Sequence, residues 1–317
     1  MHRTNECAII LIMKCIFIYN PHSGKGKIAK KVDYIQSRLL EKYDVVDVYA
    51  TKAAGDLTVK VKEIADDYDC IVFSGGDGTF NEVLQGLGER EKLPLLGYIP
   101  GGTANDVAHS LKIPRKSVRG AVNVVLDGKT ALLDCMRVNG KNYAMYSVSA
   151  GAFTNTTYTT PQQKKKAFGW LAYGMQGIKK NFPLPVFSVC VKNEEEEIKT
   201  DCVFALAANG KCVAGMRMNP HSSMSDGVME CAVVKQCKKP NIFRRIGAFF
   251  SLIGLFLFGY QAKAKNVAKL TGKKFTFEVS DDIIWNYDGE MGPSGKIEIE
   301  LINKKVPLFV PKNNKNI

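Results

Sequence analysis

The residues best suited to chemistry lie in one stretch, Phe73-Ser74-Gly75-Gly76-Asp77-Gly78-Thr79-Phe80-Asn81-Glu82-Val83. Cys70 to Phe73 is an apolar run that reads as a buried strand, and Asn81, Val83, Leu84 and Leu87 follow at helical spacing. A strand, a glycine turn and a helix start aim backbone N–H groups and a positive helix end at an anion. The glycines let the backbone come close, and Thr79 adds a hydroxyl donor. A carboxylate at Asp77 repels phosphate unless a cation or water stands between them, so it points to metal chemistry nearby. A plain turn uses the same glycines. The choice between the two rests on the rest of the chain.

The elements that must position this stretch come in a regular order. Cys15 to Tyr19 reads as a strand and runs into the polar loop Asn20-Pro21-His22-Ser23-Gly24-Lys25-Gly26-Lys27. A helical pattern follows (Ile28, Val32, Ile35, Leu39, Leu40), then a strand from Val45 to Tyr49 with Thr51 at its end. After a helix over Asp56–Ala65 and the central stretch, a fourth strand, Leu95 to Ile99, leads into Pro100-Gly101-Gly102-Thr103-Ala104-Asn105-Asp106. Val107–Leu111 and Ser117–Leu126 read as helices. Strands alternating with helices predict an α/β lobe with a parallel sheet, whose ligand crevice lies beyond the carboxyl ends of the strands. Four such ends carry polar loops, which favours a phosphate-rich ligand.

Near Lys129 the rhythm changes to short β-like runs: Ala131–Val138, Asn142–Val148, Val186–Val191, Asp201–Ala207, Val228–Val234, Lys274–Val279, Ile283–Tyr287 and Lys296–Leu301. They predict a β-rich antiparallel sandwich or open barrel, interrupted by helical stretches at about Lys166–Lys180 and Ile242–Tyr260. Glu194 to Glu197 reads as a hairpin tip. The expected division is residues 13–128 and 129–310.

The chain has 317 residues and a net charge of +13, which favours an anionic partner: nucleotide, nucleic acid or acidic membrane. Its nine cysteines include no Cys-x-x-Cys pair, as expected of a reducing cytosol with no disulfide framework or zinc site. Met13 followed by Lys14-Cys15-Ile16-Phe17 looks like a natural start, with residues 1–12 an extension. Neither Gly-x-x-x-x-Gly-Lys-Ser/Thr nor a Gly-x-Gly-x-x-Gly after the first strand occurs.

Three motifs in order are recognisable: Asn20-Pro21-x-Ser23-Gly24, Gly75-Gly76-Asp77-Gly78-Thr79-x-Asn81-Glu82-Val83 and Pro100-x-Gly102-Thr103-x-Asn105-Asp106. With a late Asp288-Gly289-Glu290, they resemble the diacylglycerol kinase catalytic-domain family, in its soluble bacterial lipid kinase form, from Lys14 to about Val310. The resemblance implies ATP in a cleft between the lobes, held by Asn20, Pro21, His22, Ser23, Gly24, Thr51, Gly75 to Thr79 (Asp77 included), Asn81, Glu82 and Thr103. It favours nucleotide and an anionic membrane surface over nucleic acid, with a membrane lipid as acceptor and a peripheral, cytoplasmic-face location. A homodimer stays open. Read without the resemblance, Thr51 is a helix cap, His22 a surface residue and Asp288-Gly289 a hairpin turn.

In the family the Asp288–Glu290 segment carries the carboxylates beside the acceptor hydroxyl. Either Asp288 or Glu290 is then the base, and the two stay unresolved. Met224-Ser225-Asp226-Gly227-Val228 resembles the family's magnesium segment, which implies Mg²⁺ on Asp226 and the carbonyls of Ser223 and Val228, with Asp77, Asp106 and Asp134 linked through water. Two departures are His221-Ser222 after Pro220, and Glu230 in place of aspartate. The apolar run Ile246 to Phe258, with Arg244 and Arg245 before it and Lys263, Lys265 and Lys269 after, falls short of the roughly 20 residues of a membrane span. It is either a buried helix or one sunk into an anionic membrane surface, where Lys164 to Lys166 and Phe168 to Tyr173 would add to the same face.

Overall fold

In the computed structural model, the described residues are 12–152, 184–260, 264–314 and 317. The expected helix at Lys166–Lys180 and the lysine run before it lie outside them.

The first lobe is built on β1 (Lys14–Tyr19), β2 (Val45–Ala50), β3 (Cys70–Gly75) and β4 (Leu95–Pro100), parallel and in the order β4-β3-β1-β2. All six residues of β3 are buried, as its unbroken apolar run requires of a central strand covered on both faces. The covering helices are α1 (Val32–Leu39), α2 (Asp56–Ile64), α3 (Asp77–Leu87), α4 (Asp106–Ser110) and α5 (Val118–Asp127). Residues 29–31 form a 3-10 turn ahead of α1, which shortens the helix expected there. Ser117 caps α5 by accepting from Gly120 N. Gly86 lets α3 approach α2, since a Cβ there would sit 2.7 Å from Thr58 O.

The second lobe holds β5 (Lys129–Val138), β6 (Asn142–Ala144), β7 (Ser147–Gly151), β8 (Phe187–Lys192), β9 (Glu197–Ala208), β10 (Met229–Lys235), β11 (Val267–Gly272), β12 (Lys274–Glu278), β13 (Ile284–Tyr287), β14 (Glu290–Ser294) and β15 (Ile297–Val310). Their pairings with one another are antiparallel. Phe275, Phe277 and Trp285 fill its separate core, with Phe277 and Trp285 edge to face at 5.1 Å. One helix, α6 (Ile242–Phe258), lies between β10 and β11.

Four features differ from the periodic reading, the first being β11, which pairs with β10 where no strand is expected. The run Asn142–Val148 breaks into β6 and β7, because the N–H groups of Met145 and Tyr146 turn to a side chain instead of a strand partner. β14 contains Gly292 and Pro293, which argue against a strand but are tolerated at the end of a sheet, where β14 lies. β15 runs on to Val310, pairs with β5 and meets β4 in parallel at Leu308–Leu96. That last strand ties both lobes into one hydrogen-bonded sheet and fixes the second lobe beside the mouth of the first.

Candidate active site

The loops after β1, β3 and β4 converge at the carboxyl edge of the parallel sheet. After β1, Asn20 folds the chain back by accepting His22 N on its side chain (2.8 Å) and Ser23 N on its carbonyl (3.0 Å). Ser23 Oγ then donates to Gly101 O at 3.4 Å, joining this loop to the one after β4. His22 is exposed. Thr51 N donates to Tyr19 O at 2.9 Å, so the end of β2 sits against the end of β1. Thr51 caps no helix, since α2 starts after Gly55.

The two glycine loops touch. Gly101 N donates to Gly75 O at 2.7 Å, and a Cβ on Gly102 would lie 2.5 Å from Gly76 Cα, a space only glycine leaves open. Tyr98, unremarked in the sequence because it occupies a core position of β4, holds both loops by donating toward Gly75 O and Asn105 Oδ1, each at 3.2 Å. Asn105 adopts the left-handed region (φ 51°) and pins Gly102 through both its N–H and its carbonyl. Thr103 is left exposed at this edge. Gly76 is extended, and α3 begins at Asp77 directly beneath the convergence.

Two residues expected at the nucleotide have partners on other elements. Asn81 donates its amide to Tyr143 O (2.9 Å) and Asp288 Oδ2 (3.2 Å), so it stitches α3 to the second lobe. Burial raises the Glu82 carboxyl, while N–H groups of Gly55, Leu57 and Thr58 lower it. Glu82 therefore serves the start of α2. Their spacing after the glycines is helical, and position alone gives no sign of these partners.

Asp288 and Glu290 have different surroundings. Asp288 and Gly289 are the two residues of the β13–β14 hairpin, with φ 50° and 94°, as a two-residue turn of this hand requires. The Asp288 carboxylate is buried and accepts Met145 N, Tyr146 N, Ser147 N and the Asn81 amide. Its lone pairs are filled. Glu290 is exposed and reaches across to α3, where a Cβ on Gly78 would sit 2.5 Å from its Oε1. The free carboxylate from the second lobe thus lies over the first turn of the helix that starts at the glycine loop.

The other acidic residues form two groups rather than one. Asp77, whose Oδ1 accepts Val107 N at 3.4 Å, is raised to about 7, by burial first and then by Asp106 and Asp288. Asp106 is raised to about 6, chiefly by burial, although Gly215 N donates to its Oδ1 at 2.7 Å. Its Oδ2 is buried with no hydrogen-bond partner among the described residues. In the second group, Asp226 is the acidic neighbour that raises both Asp134 and Glu230, after burial in each case. Asn209 spans the two groups, donating to Asp134 O and Met145 O. Asp77 and Asp106 thus interact with Asp288, and Asp134 with Asp226.

The oxygen-rich, carboxylate-dominated donors suit a hard cation, and Asp106 Oδ2, without a hydrogen-bond partner among the described residues, is an atom that a cation or its waters would satisfy. Ser223 and Val228 meet Asp226 through their N–H groups, at 2.9 and 3.2 Å, which closes the loop on the carboxylate. Among the described residues no three His, Cys, Asp or Glu side chains converge on one point.

The raised carboxyls have a consequence for stability. Asp77 and Asp106 favour the protonated form in the fold, so their contribution is complete below the ordinary carboxylate value and is lost as pH rises through 6 to 7. In metal-free protein, urea midpoints should fall between about pH 4 and 7 and level off above that. Asp77→Asn should flatten that slope by up to about 1.4 kcal/mol per pH unit.

Residues 14–138 match the diacylglycerol kinase catalytic domain, and residues 144–310 match the YegS C-terminal NAD kinase beta sandwich-like domain. A diacylglycerol kinase of Bacillus subtilis is 29% identical over 299 residues, covering 93% of this chain and 95% of that protein. One of Staphylococcus epidermidis is 28% identical over 300 residues, covering 93% and 92%. Among solved structures, a putative diacylglycerol kinase from Bacillus anthracis superposes with a TM-score of 0.79 at 22% identity, covering 94% of this chain and 97% of that one. An NAD kinase from Archaeoglobus fulgidus in complex with ATP shares the fold more distantly, with a TM-score of 0.50 at 13% identity over 96% and 94%. The two domain matches together account for nearly the whole described fold, and the chain belongs to the diacylglycerol kinase catalytic-domain family.

Proposed function

We propose that this chain transfers the γ-phosphoryl group of ATP to a membrane lipid hydroxyl, diacylglycerol first, giving phosphatidic acid. The nucleotide lobe is residues 13–128 and the lipid lobe 129–310. The observation that carries the reading is the Glu290 carboxylate over Gly78, at the helix start where the glycine loops converge. The N–H groups of Gly75 to Thr79 and of the Asn20–Gly24 loop, with the hydroxyls of Ser23, Thr51, Thr79 and Thr103, cradle the phosphates.

An alcohol is a poor nucleophile. Glu290 takes its proton as the acceptor oxygen bonds to the γ-phosphorus and the bond to the β-phosphate oxygen breaks, releasing ADP. Asp77 and Asp106 would hold a Mg²⁺ that neutralises charge on the phosphates, and Asp226 with the carbonyls of Ser223 and Val228 would hold a structural one. Asp288 is a positioning residue, which holds the hairpin that aims Glu290. The acceptor sits in a bilayer while ATP is dissolved, so the enzyme works peripherally on the cytoplasmic face.

The deciding assay offers labelled ATP to diacylglycerol, a sphingoid base, ceramide, a polyprenol and a glycolipid in mixed micelles, with NAD as a soluble acceptor. Label on diacylglycerol supports the reading. Label on NAD alone would replace it with a soluble-acceptor kinase of the NAD kinase type, whose fold is shared. ATP binding with no product on any acceptor would leave a nucleotide-binding protein. A substitution at the contact tests the geometry. Gly78→Ala puts a methyl where Glu290 Oε1 lies, so kcat should fall about 10- to 100-fold as the carboxylate is displaced. Thermal stability should hold or rise, because alanine is the better helix former by about 1 kcal/mol.

A further inference from the structure

Helix α6 has two apolar faces, and the fold uses one. Ala248, Leu252 and Leu255 are buried toward the body of the lobe, where Phe256 also meets Phe204. On the opposite face, Phe243, Ile246, Phe250 and Leu257 recur at helical spacing and stand 79%, 41%, 64% and 55% exposed. The positions between them on that face, Gly247 and Gly254, carry no side chain. A surface helix ordinarily turns polar residues outward, and one that is apolar all round is buried or membrane-bound. Nothing among the described residues covers this stripe.

Its charge surroundings are one-sided. From Cys231 to Phe277 the chain carries ten Lys and Arg and no Asp or Glu. Lys235, Lys238, Lys239, Arg244 and Lys265 are exposed, near the two ends of the helix. None of them is in an ion pair among the described residues. Seventeen residues make a helix of about 26 Å, and none among the described residues is long and apolar enough to cross a membrane. An apolar stripe between basic ends fits the plane of an anionic bilayer surface.

We propose that α6 is an in-plane anchor that sinks Phe243, Ile246, Phe250 and Leu257 into the headgroup boundary of an anionic bilayer, with the flanking basic side chains on lipid phosphates. This deepens the lipid-acceptor reading and rests on it for its purpose, while binding itself is measurable without any reaction. The test sediments the full chain with phosphatidylcholine vesicles that contain or lack phosphatidylglycerol. Binding should require phosphatidylglycerol and weaken as salt is raised. Phe243→Ser/Phe250→Ser should lower the apparent affinity roughly a hundredfold. Lys238→Glu/Lys239→Glu/Arg244→Glu should do at least as much. Both should keep the wild-type Tm and full transfer to short-chain diacylglycerol in detergent.

Equal binding to phosphatidylcholine alone would overturn the proposal. So would a lowered Tm in the Phe variant, which would mean that another part of this chain covers the stripe. Loss of a dimer in that variant without loss of vesicle binding would make the stripe an interface between copies. If no variant or wild type transfers phosphate to any lipid but the vesicle pattern holds, the anchor stands and the kinase reading falls.

Discussion

A Glu290→Gln variant should lose about 10²- to 10⁴-fold in kcat, with Tm and ATP affinity close to wild type. The substitution keeps the size of the side chain and removes the proton acceptor. Glu290 is exposed at the start of β14, so it carries no burden of packing. Its surroundings fix its place all the same, because the hairpin turn is locked and Gly78 leaves room for its Oε1 against α3. Rapid-quench single turnovers with saturating ATP would measure the chemical step apart from lipid exchange. Wild-type single-turnover rates in a folded Glu290→Gln variant would remove Glu290 from the chemistry and leave the acceptor proton to another group.

The sequence made the first lobe readable because its signals are local. Each parallel strand is a short apolar run, and each polar loop follows directly, so Gly75 to Thr79 and Gly101 to Asp106 were placed at strand ends by order alone. The split between Asp288 and Glu290 was not readable in this way. The two share one hairpin, and what separates them is a set of N–H groups at Met145, Tyr146 and Ser147, more than 140 residues earlier. The partners of Asn81 and Glu82 are hidden for the same reason. Helical spacing says that they sit on α3, while Tyr143 O and the start of α2 decide what they touch. In α6 the hydrophobic pattern covers the whole circumference, so periodicity left buried and membrane-facing readings equal. The packing of Ala248, Leu252 and Leu255 divided it into two faces.

Asp288→Ala should behave in the opposite way to Glu290→Gln, with stability lost first and activity as a result. Removing the carboxylate strands three buried backbone N–H groups, each costing about 1 to 3 kcal/mol unless water reaches it, and leaves the Asn81 amide only Tyr143 O. Alanine also pays for the left-handed backbone at φ 50°, which aspartate tolerates better. A total of about 3 to 5 kcal/mol is expected in urea unfolding, with kcat reduced because the hairpin no longer aims Glu290. Asp288→Asn keeps one acceptor oxygen and the backbone preference, so it should fall between Asp288→Ala and wild type. The order of the two measurements separates positioning from chemistry. A variant with wild-type stability and no turnover would instead put Asp288 itself at the reacting hydroxyl, and the four hydrogen bonds that fill its lone pairs would have to open in the working enzyme.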